Sequence, residues 1–343
     1  MMNNSVISID LAKNVFQGCM LNQNQKPVLN KKVKRLKLLD TIRNLEAESV
    51  VMEACYSSNH WGREIEKMGF VVNLIPPHQV KPFVVGNKND HNDALAIAEA
   101  SFRPKVTFVP VKSLTQQDIQ SLSRIRERLV RSRTAVANQM RGLLAEYGII
   151  VETRIATLRN KVPFILEDPE QPLTVSARAF ISSLLKELQC HDKLIKDNEK
   201  TTQGLLKGSD DYQRIQEVPG VGPVIGAAVI AAVGNAQQFK NGRQMAAWMG
   251  LTPKQHASGD HSRMGGLSKR GNRTLRKLFI HGARAVLSWS KEKDDALSLW
   301  IQNLLRTKPP CKVVVALANK LARMTWAVLA KKERYKAPAL VAA

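Results

Sequence analysis

Apolar and polar residues alternate over residues 5–10 (Ser-Val-Ile-Ser-Ile-Asp), the period-two pattern of a strand with one buried face. Residues 15–21 and 28–33 repeat the pattern after short polar turns, which predicts a β-meander. Helical spacing follows over 36–45, a strand over 49–54, a helix over 59–68 and a strand over 70–75, stopped by Pro76-Pro77. Three successive strands followed by alternating helix and strand predict a mixed α/β sheet. From residue 113 to about 146 the period is helical, and helices continue through 152–207 around the loop Glu167-Asp168-Pro169-Glu170-Gln171-Pro172. That arrangement predicts an antiparallel helical hairpin of coiled-coil type, suited to assembly. A mainly helical region follows, so the expected division is 1–110 (α/β), 111–210 (helical linker), 211–330 (helical carboxy-terminal domain) and a basic tail, 331–343.

Two strands end on an acid, Asp10 and Glu53, at the edge where open α/β sheets place their sites. A Gly/Asn/Lys loop from Gly86 leads into helix-forming sequence, placing Asp90 and Asp93 in the N-cap region and first turn, on one face. Each acid alone reads as a cap or a strand end. Four together form a donor set for a hard divalent ion such as Mg²⁺, which can act on the oxygens of a phosphodiester.

Charge strengthens that reading. The chain carries 52 Lys+Arg against 29 Asp+Glu, a formal charge of +23, which points to nucleic acid first and to an anionic membrane surface second. No apolar run approaches the ~20 residues of a membrane span, and no signal peptide is evident. The scattered Cys19, Cys55, Cys190 and Cys311 read as reduced core thiols of a cytosolic protein, without structural zinc. Arg124, Arg126, Arg128, Arg131, Arg133 and Arg141 line one predicted helix; singly they read as a solvated face, as a set they could track a nucleic-acid backbone. Val218-Pro219-Gly220-Val221-Gly222-Pro223 before an apolar helix is a helix-hairpin-helix signal, with Gly220 and Gly222 opening backbone N–H groups to a phosphate. The alternative is a tight turn between buried helices. Residues 236–291 hold eleven Lys/Arg and one acid, Asp260. Within them, 254–273 reads as a Gly/Ser-rich basic loop that orders on a polyanion, with Lys254, Arg263, Lys269, Arg270 and Arg273 as contacts.

Ile7-Ser8-Ile9-Asp10-Leu11-Ala12-Lys13-Asn14, then Met52-Glu53-Ala54, then Lys88-Asn89-Asp90-His91-Asn92-Asp93-Ala94 resemble the amino-terminal domain of the DEDD-type transposases of bacterial insertion sequences. The resemblance implies an RNase H-like fold of the RuvC type, with Asp10, Glu53, Asp90 and Asp93 as the metal-binding acids. Trp-Met-Gly-Leu-Thr-Pro (248–253), Ser258-Gly259 and Gly-Gly-Leu-Ser-Lys-Arg-Gly-Asn-Arg-Thr-Leu-Arg (265–276) are similar to the family's second domain. There a serine before glycine is the nucleophile. Here it falls on Ser258, with Ser262 and Ser268 as rivals and Lys254, His256 and Arg263 near in sequence. The resemblance further implies a circular element intermediate and an element-encoded, bridge-type guide RNA that pairs with donor and target DNA. The expected protein is a Mg²⁺-dependent recombinase, a dimer or tetramer, acting on DNA in a bacterial cytoplasm. A junction-resolving nuclease using water, and a non-enzymatic nucleic-acid binder, are the alternatives.

Overall fold

The alternation in the first seventy-five residues becomes a five-stranded sheet of order β3-β2-β1-β4-β5. In this computed structural model, residues 6–22, 24–45, 47–87, 89–258 and 261–337 are described. The strands are β1 (Val6–Asp10), β2 (Val15–Leu21), β3 (Pro27–Lys34), β4 (Ser49–Glu53) and β5 (Val71–Ile75). The β1–β2–β3 meander is antiparallel, whereas β4 and β5 run parallel to β1, as the intervening helices require. Helices α1 (Leu38–Arg43), α2 (Ser58–Glu66), α3 (Pro77–Val80) and α4 (Asp90–Ser101) complete this unit, Met1–Thr115.

Strand periodicity decides which side chains meet which helix. Ile7, Ile9, Val50, Met52, Val72 and Leu74 form one core with Leu38 and Ile42 of α1 and Trp61 and Ile65 of α2. The alternate residues look the other way: Val51 and Ile75 pack on Ala96, Ile97 and Ala100, and Cys19 and Leu21 on Ala94 and Ala98, all of α4. Alanines on that face of α4 let its backbone lie close to the sheet.

The second unit, Gln116–Ala343, is helical. It contains α5 (Leu114–Ala145), α6 (Ile155–Glu167), α7 (Val175–Leu206), α8 (Asp210–Gln216), α9 (Pro223–Val233), α10 (Gly242–Trp248), strands β6 (Pro253–Ser258) and β7 (His261–Leu267), α11 (Arg273–Trp289), α12 (Ala296–Thr307) and α13 (Pro310–Lys331). Ion pairs Arg126–Glu199 at 2.6 Å and Arg133–Asp192 at 3.1 Å show that α5 and α7 run antiparallel. They also correct the expected arginine array. Arg126 and Arg133 are committed to α7, and Arg141 donates to the carbonyls of Glu152 and Thr153, leaving Arg124, Arg128 and Arg131 exposed.

Three further expectations change. Residues 253–258 and 261–267 are not a loop but two strands paired antiparallel, β6 and β7. Helix α13 is, by length and composition, apolar enough to cross a membrane; yet Val313, Leu317, Ala318, Leu321 and Ala322 are wholly buried in the helical core, which accounts for its apolar face. Of the cysteines Cys19 is buried and Cys55 is half-buried against the sheet's core, whereas Cys190 and Cys311 are exposed.

Gly220, in the turn between α8 and α9, has φ +74° and a close neighbour. A Cβ there would sit 2.7 Å from Val286 Cγ2 and 2.8 Å from the carbonyl oxygen of Gly282 in α11, and a Cβ on Gly282 would strike the Gly220 carbonyl oxygen. The pair lets two backbones touch. Gly282→Ala is expected to cost about 2–4 kcal/mol, read as a lowered urea midpoint, because neither backbone can retreat without moving a helix; an unchanged midpoint would contradict that packing.

Candidate active site

Asp10 and Glu53 are brought together by strand register. In the parallel β1–β4 pair Ile9 stands beside Met52, so the next residues, Asp10 and Glu53, end their strands side by side. Both fall on the α4 side, in phase with Ser8 and Val51. Helix α4 is pinned over that edge by polar side chains. The buried Ser8 hydroxyl donates to the Ala94 carbonyl at 2.7 Å. Gln17, paired with Asp10 across the β1–β2 ladder and also buried, donates to Asn30 Oδ1 at 2.6 Å, and Asn30 Nδ2 donates to the His91 carbonyl at 3.2 Å. Sequence reading passed over Ser8, Gln17 and Asn30; a polar residue on the buried face of a strand was the available signal for the first.

The cap of α4 is Asn89, whose side chain accepts from the Asn92 N–H at 2.8 Å. Asp90 and Asp93 therefore lie in the first turn without acting as the cap. Burial chiefly, then the charges of Asp93, Asp90 and Glu53, push the Asp10 carboxyl up to about 6 from 3.8. The four carboxylates thus share one neighbourhood and repel one another. Among the described residues no three His, Cys, Asp or Glu side chains already form a closed metal site, so the acids feel one another's charge without being gathered at coordinating distance. Like charge holds the carboxylates apart, and a cation among them would remove that repulsion. An all-oxygen donor set from two strand ends and a helix turn fits a hard divalent ion.

A stability test follows from the sign of that shift. A carboxyl whose folded pKa exceeds its unfolded value loses stability as pH rises through that interval, here from about 4 to about 6. In chelator, Asp10→Asn is expected to unfold like the wild type below pH 4 and to be more stable by about 1–2 kcal/mol at pH 7.5. Mg²⁺ should stabilise the wild type and leave Asp10→Asn nearly unmoved. Parallel pH profiles in thermal melts would contradict the mutual repulsion.

The serine lies on the hairpin. Ser258 ends β6 opposite His261, which begins β7; His256 faces Arg263 and Ala257 faces Ser262. Opposed residues share a face and successive ones alternate. Ser258, His261, His256 and Arg263 are therefore on one side, and Ser262 is on the other, accepting a 3.3 Å hydrogen bond from Gln255 Nε2. Gly259 and Asp260 lie outside the described residues. The hairpin is exposed along both strands and is held at its base. There the Ser268 N–H donates to the Thr252 carbonyl at 2.8 Å, and Gly271 passes so close to the Trp248 carbonyl that no Cβ would fit. Lys254, Arg263, Lys269, Arg270 and Arg273 are all exposed on this hairpin or just after it. Gly222 is exposed at the start of α9, while Gly220 is turned into the contact with α11.

A parallel-antiparallel sheet of this order, with acids at the ends of β1 and β4 and beneath a helix, belongs with the RNase H-like phosphodiester enzymes. Residues 7–149 match the DEDD transposase family of the IS110 type, and residues 212–298 match the "Transposase IS116/IS110/IS902 family". The chain is 44% identical over 337 residues to a "Probable family 20 transposase" of Pseudomonas aeruginosa, covering 98% of this chain and 99% of that one. It is 43% identical to the transposase for insertion sequence element IS1111A of Coxiella burnetii, over 96% of this chain and 91% of that one. It is 32% identical to the transposase for insertion sequence element IS1328 of Yersinia enterocolitica, over 96% and 97%. The chain belongs to the IS110/IS116/IS902 family of insertion-sequence transposases.

Proposed function

We propose that this transposase cuts and rejoins element ends and target DNA through a serine ester, with Mg²⁺ held by Asp10, Glu53, Asp90 and Asp93. The observation that carries the reading is the β1–β4 register that ends both strands on an acid, Asp10 beside Glu53, in a +23 chain; burial first, then the charges of Asp93, Asp90 and Glu53, push the Asp10 carboxyl up. Four acids there would repel DNA unless a cation stood among them. Bound Mg²⁺ would supply Lewis-acid stabilisation of charge on phosphoryl oxygens.

Ser258 Oγ forms the new bond to phosphorus as the bond from phosphorus to the leaving sugar oxygen breaks. The hydroxyl proton passes to a nearby base and the sugar oxygen gains one. The phosphoserine keeps the phosphodiester's energy, so a second strand's hydroxyl can take the phosphate without ATP. Lys254, Arg263, Lys269, Arg270 and Arg273 hold the backbone of donor and target duplexes, and Gly222 offers the uncapped start of α9 to a further phosphate. Sequence choice is delegated to an element-encoded RNA, and a dimer or tetramer supplies the four cleavages of an exchange. These last two points rest on the family's pattern; the charge of the chain accommodates them. The reaction belongs to the bacterial cytoplasm, where the DNA is.

The test is joining of labelled element ends to target duplex by the purified protein. Joined product that needs both Mg²⁺ and RNA transcribed from the element's flank supports the proposal. Joining without RNA would remove the guide, and cleavage without joining would place water in the role of Ser258.

A further inference from the structure

Strand β3 carries a charge pattern that the chemistry above leaves unused. From Leu11 to Leu39, which spans β2 and β3, the chain holds seven Lys/Arg and no acid. Register decides where those cations lie. Asp10 pairs with Gln17 across β1–β2, and Gln17 pairs with Lys32 across β2–β3. Opposed residues share a face, so Lys32, Gln17 and Asp10 form one row across the sheet, which Glu53 continues through the β1–β4 register. Lys34, two residues on, shares the Lys32 face and ends β3 at the edge where β1 and β4 also end. Lys31 alternates with them. It shares the opposite face with Val33, which is buried in the core beneath α1 and α2.

The lysine row and the acids belong to one rigid frame. Asn30, on the Lys32 face, donates to the His91 carbonyl in the first turn of α4. Helix α4 therefore reaches β3 at Asn30, and Lys32 and Lys34 beyond it are exposed. The charges that move the Asp10 carboxyl most are those of Asp93, Asp90 and Glu53, so the lysines are not spent in neutralising the acids. Asp40, the first acid after them in the chain, pairs with Arg43 at 3.6 Å.

We infer that Lys32 and Lys34 hold the phosphate backbone of the DNA strand that enters the carboxylate site, two or three nucleotides from the phosphate that is cut. Two strand spacings, about 10 Å, separate the Lys32 and Asp10 backbones, and a duplex strand advances about 3.4 Å per phosphate. The inference rests on the reading of Asp10, Glu53, Asp90 and Asp93 as the metal-binding set. Cations beside that set offset the repulsion its acids exert on approaching DNA. Such contacts are equal before and during cleavage, so they raise affinity without raising kcat. Lysines on an edge strand also discourage another chain from pairing with it, and β3 is an edge. That role is indifferent to face, and Lys31 would serve it as well as Lys32.

The test uses this difference between faces. A labelled element-end duplex is titrated by anisotropy into the full-length protein in Mg²⁺ at several salt concentrations, and its cleavage with RNA from the element's flank is followed over a range of DNA concentrations. Lys32→Gln and Lys34→Gln are each expected to bind about five-fold or more weakly at ~0.1 M salt, with the slope of log K against log salt shallower by about one. KM for cleavage should rise in step while kcat stays within about two-fold of the wild type. Lys31→Gln removes the same charge from the same strand and should match the wild type, and Lys32→Arg should keep the affinity. A loss in Lys31→Gln equal to that in Lys32→Gln, or an unchanged slope in both Lys32→Gln and Lys34→Gln, overturns the inference and leaves the metal site standing. Losses confined to binding of the flank RNA, with none on the duplex, also overturn it. A wild type that binds the duplex and never cuts it strikes the metal-site reading, and the inference falls with it.

Discussion

Asp90→Asn is expected to lower DNA cleavage by roughly a thousand-fold while leaving DNA binding unchanged or tighter. The substitution keeps the shape of an exposed side chain in the first turn of α4 and leaves the cap intact, since Asn89 does the capping. Loss of one favourable charge–dipole contact costs at most about 1 kcal/mol, too little to unfold the unit. What disappears is one of the acids whose charge raises Asp10. With less negative potential at that edge a phosphate approaches more easily, so affinity moves opposite to activity. Cleavage of labelled element ends beside a binding titration checks both halves. Weaker binding with unchanged cleavage would contradict the assignment, and a protein that only binds would show no cleavage in wild type or variant.

Ser258→Ala should remove strand joining by four or more orders of magnitude, as loss of an activated nucleophile does elsewhere, with binding within two-fold of the wild type. The residue is exposed at the end of β6, so truncation of its hydroxyl costs little stability, within about 0.5 kcal/mol. Ser262→Ala should leave most joining intact. Ser262 projects from the opposite hairpin face and accepts from Gln255. Ser268 belongs to the hairpin base, where its N–H bonds the Thr252 carbonyl. His256, His261 and Arg263 share the Ser258 face, polar surroundings of the kind a weak hydroxyl would need in order to act as a nucleophile. Joining retained in Ser258→Ala but lost in Ser262→Ala would reverse the assignment.

Much of the amino-terminal unit could be read from its sequence because one buried face per strand writes a period of two. Residues 5–10, 15–21, 28–33, 49–54 and 70–75 fall within a residue or so of β1 to β5. The register that sets Asp10 beside Glu53 follows from strands matched in length and end. The carboxy-terminal hairpin was illegible for a matching reason. Nearly every residue of β6 and β7 is exposed on both faces, so no alternation is written, and the Gly/Ser content argues for a loop. What holds the hairpin is its base, through contacts of Thr252 with Ser268 and of Trp248 with Gly271. Those partners are 16 and 23 positions apart and carry no hydrophobic signature. The arginines of α5 misled similarly, because Glu199 and Asp192 lie more than fifty residues away and meet them only once α7 folds back. At Gly220 the motif and the packing compete for the same residue, and the contact with Gly282 explains the glycine without a ligand.

The central claim, that strand exchange passes through a serine ester and needs a divalent metal, is tested most directly by trapping that ester. Wild type and Ser258→Ala are incubated with Mg²⁺, RNA from the element's flank and end-labelled terminal DNA, then denatured, and the labelled protein is digested for peptide mapping by mass spectrometry. The account predicts a covalent protein–DNA band in the wild type that maps to the peptide carrying Ser258, is absent in Ser258→Ala and does not form in chelator. Cleaved DNA without a covalent band in the wild type, or a band mapping to another residue, would contradict it.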